Sequence, residues 1–265
     1  MNEITIGYLS WKRHNILEQT LSSHYNNGLF DIIKSKNRLI FFQEISDKDI
    51  NIANKYECNY FGESSNIGIL DGFINLVEKC KTEYFIFSEN DWLLIENKEV
   101  TYKILEDCIE LLSKNKSDIV KLRSSNNPGK PLYSMPTDVE NWKNQNIDGF
   151  PYKLESLSWL DEPNKVYNNK LEEFNNNYKW YITTLDNQRW SNNIFIAKTN
   201  YLKNIILPLI SIFSKNNHKY LGLEEILINY NDQLGKNSDL DNIINLYSGL
   251  KISAGIGLFM HKDFI

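Results

Sequence analysis

Short unbroken apolar runs alternate with stretches of helical period through the first half of the chain. Ile4 to Ser10 is β-rich, and "HNILEQTLSSHY" follows with Leu17, Thr20, Leu21 and His24 at helical spacing. "RLIFFQEIS" is a second apolar run with a polar exit that begins at Gln43 and Glu44. "DINIANKY" predicts a short helix leading to "NYFGES", and "GILDGFINLVEKCK" sets Phe73, Leu76, Val77 and Cys80 on one helical face. "EYFIFS" shows no period-2 alternation, as expected of a strand covered on both faces. Lys98 to Lys114 predicts an amphipathic helix on Val100, Ile104, Leu105, Cys108, Leu111 and Leu112, and "DIVKLRSS" returns as a strand.

Strands alternating with helices of ten to fifteen residues imply βαβ units, hence an α/β fold on a mostly parallel sheet. Ligands of such sheets bind beyond the carboxyl ends of the strands. The polar residues just after each apolar run are therefore the informative ones: Ser10, Glu44, Glu63 and Glu89 to Asp91.

Beyond Ser124 the character changes. Pro128, Pro131, Pro136, Pro151 and Pro163 interrupt the chain up to Trp190, and Trp142, Trp159, Trp180 and Trp190 are scattered through it. This segment reads as long excursions packed by their own aromatics. "NNIFIAKTNYLKNIILPLISIF" predicts a strand and then a helix broken at Pro208, "YLGLEEILINYNDQLGK" a helix, and "LKISAGIGLFMHKDF" one or two closing strands. No internal repeat or low-complexity linker is present, so residues 1–265 are expected to form one domain.

Composition narrows the classes. The 265 residues are 42% hydrophobic and 24% charged, enough for a substantial core, and the net charge of −5 argues against nucleic acid as the main partner. Cys58, Cys80 and Cys108 are widely spaced and odd in number, which suits buried thiols in a reducing compartment. The amino terminus is too polar for a signal peptide, and no run approaches the roughly 18 apolar residues of a membrane helix. A soluble, cytoplasmic protein is expected.

The densest candidate chemistry is "SEND", where Glu89 and Asp91 flank Asn90 directly after a buried strand. One carboxylate of such a pair can hold Mg²⁺ or Mn²⁺, whose oxygen shell ligand phosphates complete. The alternative is a surface turn begun by Asn90 and Asp91, with Glu89 in solvent. "TIGYLSWKRH", "ESSNIGILDGFINLVEKCKTEYFIFSENDW", "GLEEI" and "GLFMH", in that order, resemble the GT-A-fold glycosyltransferases, most closely family 2. The resemblance covers the first ~125 residues by strand order and motif position, and the rest through two short motifs. Glu-Asn-Asp stands where the family has Asp-x-Asp, a departure that keeps the charge.

The resemblance implies a Rossmann-like GT-A fold with a nucleotide-sugar-binding half, 1–123, and an acceptor-binding half, 124–265. It places Ser10, Trp11 and Arg13 at the loop that meets the nucleobase and ribose, and Glu44 at a second strand end facing the base or ribose. Glu63 and Asn66 fall in the segment lining the nucleotide pocket, and Asp71 near a sugar- or base-contacting position. Glu89 and Asn90 would lie by the ribose or donor sugar, Asp91 on the metal, and His261 on the metal or diphosphate. For Trp11 and Glu63 the plain alternatives are packing and exposure.

In "GLEEI" the resemblance assigns the general base of an inverting transfer to Glu225 and acceptor hydroxyls to Glu224. Adjacent acids at a helix start are otherwise favoured simply by the helix dipole. Their adjacency disfavours a glycosidase, whose two carboxylates face each other across the scissile bond. Phosphate-loop and dinucleotide glycine fingerprints are absent, which disfavours kinases and dehydrogenases. The expected protein is a metal-dependent glycosyltransferase moving a sugar from a nucleotide diphosphate-sugar, UDP-linked by preference, to a glycan or other hydroxyl acceptor. A sugar nucleotidyltransferase and a non-catalytic carbohydrate-binding protein of the same fold are the alternatives.

Overall fold

The computed structural model describes residues 1–128, 156–158, 163–166, 171–185, 190–215, 222–228 and 238–262. Trp142, Trp159 and most of the aromatic segment expected to shape an acceptor site lie outside the described residues.

Among the described residues a nine-stranded sheet runs through both halves of the chain, in the order β3-β2-β1-β4-β9-β6-β10-β8-β7. Its first four members are β1 (Ile4–Trp11), β2 (Arg38–Gln43), β3 (Asn59–Gly62) and β4 (Tyr84–Glu89). They pair in parallel, β1 lying between β2 and β4. Helices α1 (His14–Asn26), α3 (Asp47–Lys55) and α4 (Gly68–Lys79) make the crossovers, with the short α2 (Leu29–Ile32) following α1. After the short β5 (Trp92–Leu94), α5 (Lys98–Ser113) leads into β6 (Ile119–Lys121). The helices α1, α3, α4 and α5 coincide with segments of helical period in the sequence, whereas the single turn α2 carries no such pattern.

The later strands complete the sheet. β9 (Phe195–Lys198) inserts antiparallel between β4 and β6, while β10 (Lys251–Gly255) runs parallel to β6. β7 (Glu172–Asn175) and β8 (Lys179–Thr184) form a hairpin on the far edge. Part of the region expected to be irregular thus extends the sheet. The hairpin is fixed by Asp107 of α5, which accepts from Asn177 and Tyr178 N–H, the Asn176 and Asn177 amides and the Trp180 indole. A buried carboxylate so surrounded by donors is a long-range tie that hydrophobic periodicity does not reveal.

The helix after β9 also departs from expectation. It continues past Pro208, from Thr199–Tyr201 through a π turn at Leu202–Ile206 into Leu207–Lys215. The wide turn lies just before the proline, where a regular helix would meet the ring with a carbonyl.

Apolar side chains cover the sheet on both faces. Ile4, Ile6 and Tyr8 of β1 point into one core with Leu17, Leu21, Ile104, Leu105 and Cys108 of α1 and α5. Leu9 points into the other with Phe73 and Leu76 of α4 and with Leu202 and Ile206. Cys58, Cys80 and Cys108 are all buried and free. No described helix is long and apolar enough to cross a membrane.

A separate two-stranded ribbon pairs β5 with β11 (Phe259–His261), setting His261 opposite Trp92. Gly257 permits the approach of β11. Its φ is +64°, and a Cβ there would lie 2.0 Å from the Arg123 carbonyl oxygen, so any side chain is excluded.

Candidate active site

Parallel pairing brings the exits of β1, β2 and β4 to one edge of the sheet, and a cavity of about 350 Å³ opens there. Leu9, Trp11, Arg13, Gln43, Asn66, Gly68, Ile69, Glu89, Asn90 and Asp91 line it. Six predicted site residues, Trp11, Arg13, Asn66, Glu89, Asn90 and Asp91, therefore share one wall. Ser10 sits just behind, buried, and receives the Asn90 amide at 3.3 Å.

Asp91 is buried, and its Oδ2 meets Arg13 Nη1 at 3.0 Å and His261 Nε2 at 3.4 Å. Its Oδ1 is buried with no hydrogen-bond partner among the described residues. Leaving a carboxylate oxygen unsatisfied is costly, so this atom is where a further electropositive group fits. The Lys262 N–H donates to the Asp91 carbonyl at 2.8 Å, and His261 packs edge-on against the Trp92 ring, which ties β11 to the acidic turn. Trp92 is fully buried.

Glu89 behaves differently. Burial, followed by the negative charges of Asp91 and Glu224, pushes its carboxyl up to about 8, against the opposing pull of Arg13. A half-buried acid among like charges is unlike the solvent-exposed glutamate that a surface turn would give.

The rim at the end of β1 is preorganised. The Trp11 indole N–H donates to Glu44 Oε2 at 2.6 Å, and Lys12 Nζ meets the same oxygen at 2.9 Å. These two partners, Lys12 foremost, hold the Glu44 carboxyl below its usual range. Glu44 thus steadies the half-exposed indole and does not itself line the cavity. Gln43, which the sequence reading passed over for Glu44, does line it. Its Oε1 accepts the N–H groups of Ile67 and Gly68, both at 2.8 Å, and thereby fixes the start of α4. Gly68 adopts φ +88°, which only glycine takes without strain. The one signal for Gln43 was its position as the first polar residue of the β2 exit.

Glu63 and Asp71 are exposed and stand off the cavity wall. The adjacent acids separate in role. Glu225 is exposed and accepts the Gly222 N–H at 2.9 Å, closing the amino end of the helix Leu223–Ile228. Glu224 is half-buried, accepts the Asn192 N–H at 2.6 Å, and lies near enough for its charge to raise Glu89. Among the described residues no cluster of three or more His, Cys, Asp and Glu side chains forms a ready-made metal centre. The protein offers Asp91 and His261, and a cation held there needs ligand oxygens to complete its shell.

No protein-family model matches the chain, and neither does any curated protein. Solved structures do. One from S. aureus, TarS 1-349, superposes with a TM-score of 0.52 at 12% identity, covering 99% of this chain and 60% of that one. The same protein in complex with UDP gives 0.51 at 12% identity, covering 98% and 60%. A mannosyltransferase from Pyrobaculum calidifontis in complex with GDP-Man and Mn²⁺ gives 0.48 at 8% identity, covering 96% and 56%. This chain spans about three fifths of the TarS 1-349 chain. The TarS likeness establishes the fold: a GT-A-like α/β sheet flanked by helices.

Proposed function

We propose that the protein is a glycosyltransferase that uses a nucleotide diphosphate-sugar. The observation that carries the proposal is Asp91: a buried carboxylate at the exit of a parallel strand, with one oxygen on Arg13 and the other without a partner. Such a group on a cavity wall, beside an aromatic rim, suits a nucleotide diphosphate with a divalent cation between its phosphates and the protein. The fold supports the same reading.

Asp91, with His261, would hold Mn²⁺ or Mg²⁺, which supplies positive charge to the departing diphosphate. Arg13 adds a guanidinium at the same point, and Trp11, braced by Glu44, offers a flat face to the nucleobase. Glu89, whose carboxyl is raised by burial and by the charges of Asp91 and Glu224, would lie by the donor sugar or ribose.

For the base we favour Glu224 over Glu225: each accepts a backbone N–H, but Glu224 is half-buried with its charge close enough to act on Glu89, whereas Glu225 is exposed at its helix start. In the transfer, an acceptor hydroxyl oxygen forms a bond to the anomeric carbon and its proton passes to Glu224. The bond from that carbon to the diphosphate oxygen breaks, releasing the nucleoside diphosphate, with inversion.

A thermal-shift series with UDP-, GDP- and dTDP-sugars, with and without Mn²⁺, tests donor and metal together. One nucleotide sugar is expected to stabilise the protein in a Mn²⁺-dependent way, and Asp91→Ala to abolish that dependence. Pyrophosphate release from a sugar 1-phosphate and a nucleoside triphosphate would instead identify a nucleotidyltransferase. Absence of any nucleotide effect would remove the assignment.

A further inference from the structure

The backbone on either side of Asp91 is held by the side chains of one helix. Thr20 Oγ1 donates to the Asn90 carbonyl at 2.9 Å, and His24 Nε2 lies 2.9 Å from the Trp92 carbonyl. Ser23 Oγ accepts the Leu94 N–H at 3.0 Å, and Asn27 Nδ2 donates to the Leu94 carbonyl at 2.6 Å. Residues 20, 23, 24 and 27 stand at i, i+3, i+4 and i+7, one stripe of α1 and the residue that ends it. The carbonyls of Trp92 and Leu94, two apart in β5, face one edge, and the Asn90 carbonyl in the turn just before it is held by the same helix. β11 takes the other edge, and a stripe of helix side chains serves this one in place of a strand.

Filling space does not require this arrangement. Thr20 and His24 are fully buried, and His24 packs among Tyr8, Phe30 and Phe259. A carbonyl can only accept, so the His24 proton resides on Nε2, and Nδ1 accepts from Tyr8 Oη at 2.6 Å. The tautomer is thus fixed from β1, and Tyr8, His24 and Trp92 form a relay of hydrogen bonds from the sheet through the helix to the turn. Two polar groups buried for the sake of two carbonyls suit a need to fix geometry.

We infer that α1 positions the cation-binding pair: Thr20 sets Asp91 through the Asn90–Asp91 peptide group, and His24 sets Trp92 through its carbonyl, and with it His261, which pairs with Trp92. This rests on the reading of Asp91 and His261 as the cation-holding residues. Neither Thr20 nor His24 touches the cavity; they are positioning residues. Outer partners that orient a ligating group typically contribute 10–100-fold in metal affinity.

The test is Mn²⁺ affinity, followed by electron paramagnetic resonance in the presence of UDP, GDP or dTDP, whichever the wild type binds. Thr20→Val keeps shape and removes the donor; it is expected to weaken Mn²⁺ binding about 10- to 100-fold, while metal-free nucleotide affinity changes little. Thr20→Ser restores the donor and should restore the affinity. His24→Leu should weaken Mn²⁺ similarly, and His24→Gln, whose amide can still donate to Trp92, should retain most of it. A folded Thr20→Val or His24→Leu protein with wild-type Mn²⁺ affinity overturns the inference. Wild-type protein that binds no Mn²⁺ with any of these nucleotides overturns instead the reading on which it rests.

Discussion

Arg13 Nη1 and Asp91 Oδ2 meet at 3.0 Å although 78 positions separate them in the chain. The pair joins the loop after β1 to the turn after β4 and occupies one carboxylate oxygen while leaving the other unmatched. The arginine side chain is 42% exposed and that of Asp91 7%, so the pair both offsets a buried charge and presents a guanidinium to the cavity.

Arg13→Ala is expected to weaken binding of a nucleoside diphosphate roughly tenfold or more, as loss of a charge-assisted contact implies. The melting temperature of the free protein should fall as well, because Asp91 stays buried with one charged partner fewer. Isothermal titration beside a thermal melt measures both quantities.

Glu224→Gln is expected to lower the transfer rate about 10²- to 10⁴-fold, the usual range for loss of a general base. Glu225→Gln should keep the rate within a few-fold and cost the helix start at most about 1 kcal/mol. Steady-state assays of the two variants decide between the neighbours.

The Asp107 carboxylate accepts from Asn176, Asn177, Tyr178 and Trp180 in a buried position. Asp107→Ala strands these donors and should destabilise the fold by about 3 kcal/mol or more. Urea unfolding followed by tryptophan fluorescence would report the shift in midpoint.

Burial holds His24 at about 4, down from 6.5, with its bond to the Trp92 carbonyl pulling the other way. The unfolded chain therefore binds the proton first as pH falls. Stability is full above about 6.5 and declines between there and about 4, by roughly 3 kcal/mol from this residue at 1.36 kcal/mol per unit. In His24→Gln the unfolding free energy should fall less steeply across that window, as denaturant titrations at several pH values would show.

Much of the architecture was legible in local pattern. The apolar runs and the helical faces between them marked β1, α1, β2, α4, β4 and α5, because side-chain periodicity follows from backbone geometry over a few residues. The acids at the β4 exit were legible for the same reason. Asp107 and the β7–β8 hairpin were not, since a carboxylate that ties distant N–H groups leaves no periodic trace. Pro208 misled, because a proline shows only its missing N–H, whereas the π turn before it depends on how Leu202 and Ile206 pack.

The sequence alone determined that carboxylates would emerge at the carboxyl edge of a parallel sheet, with Trp11 and Arg13 at a neighbouring strand exit. Tertiary structure decided what each group does. It left one oxygen of Asp91 unmatched, raised Glu89 through burial and two nearby charges, and committed Glu225 to the Gly222 N–H and Glu224 to the Asn192 N–H. It also set Thr20 and His24 on either side of Asp91. Hydrogen bonds and charges act over a few ångströms in space, and the crossover connections that bring such groups together span tens of residues.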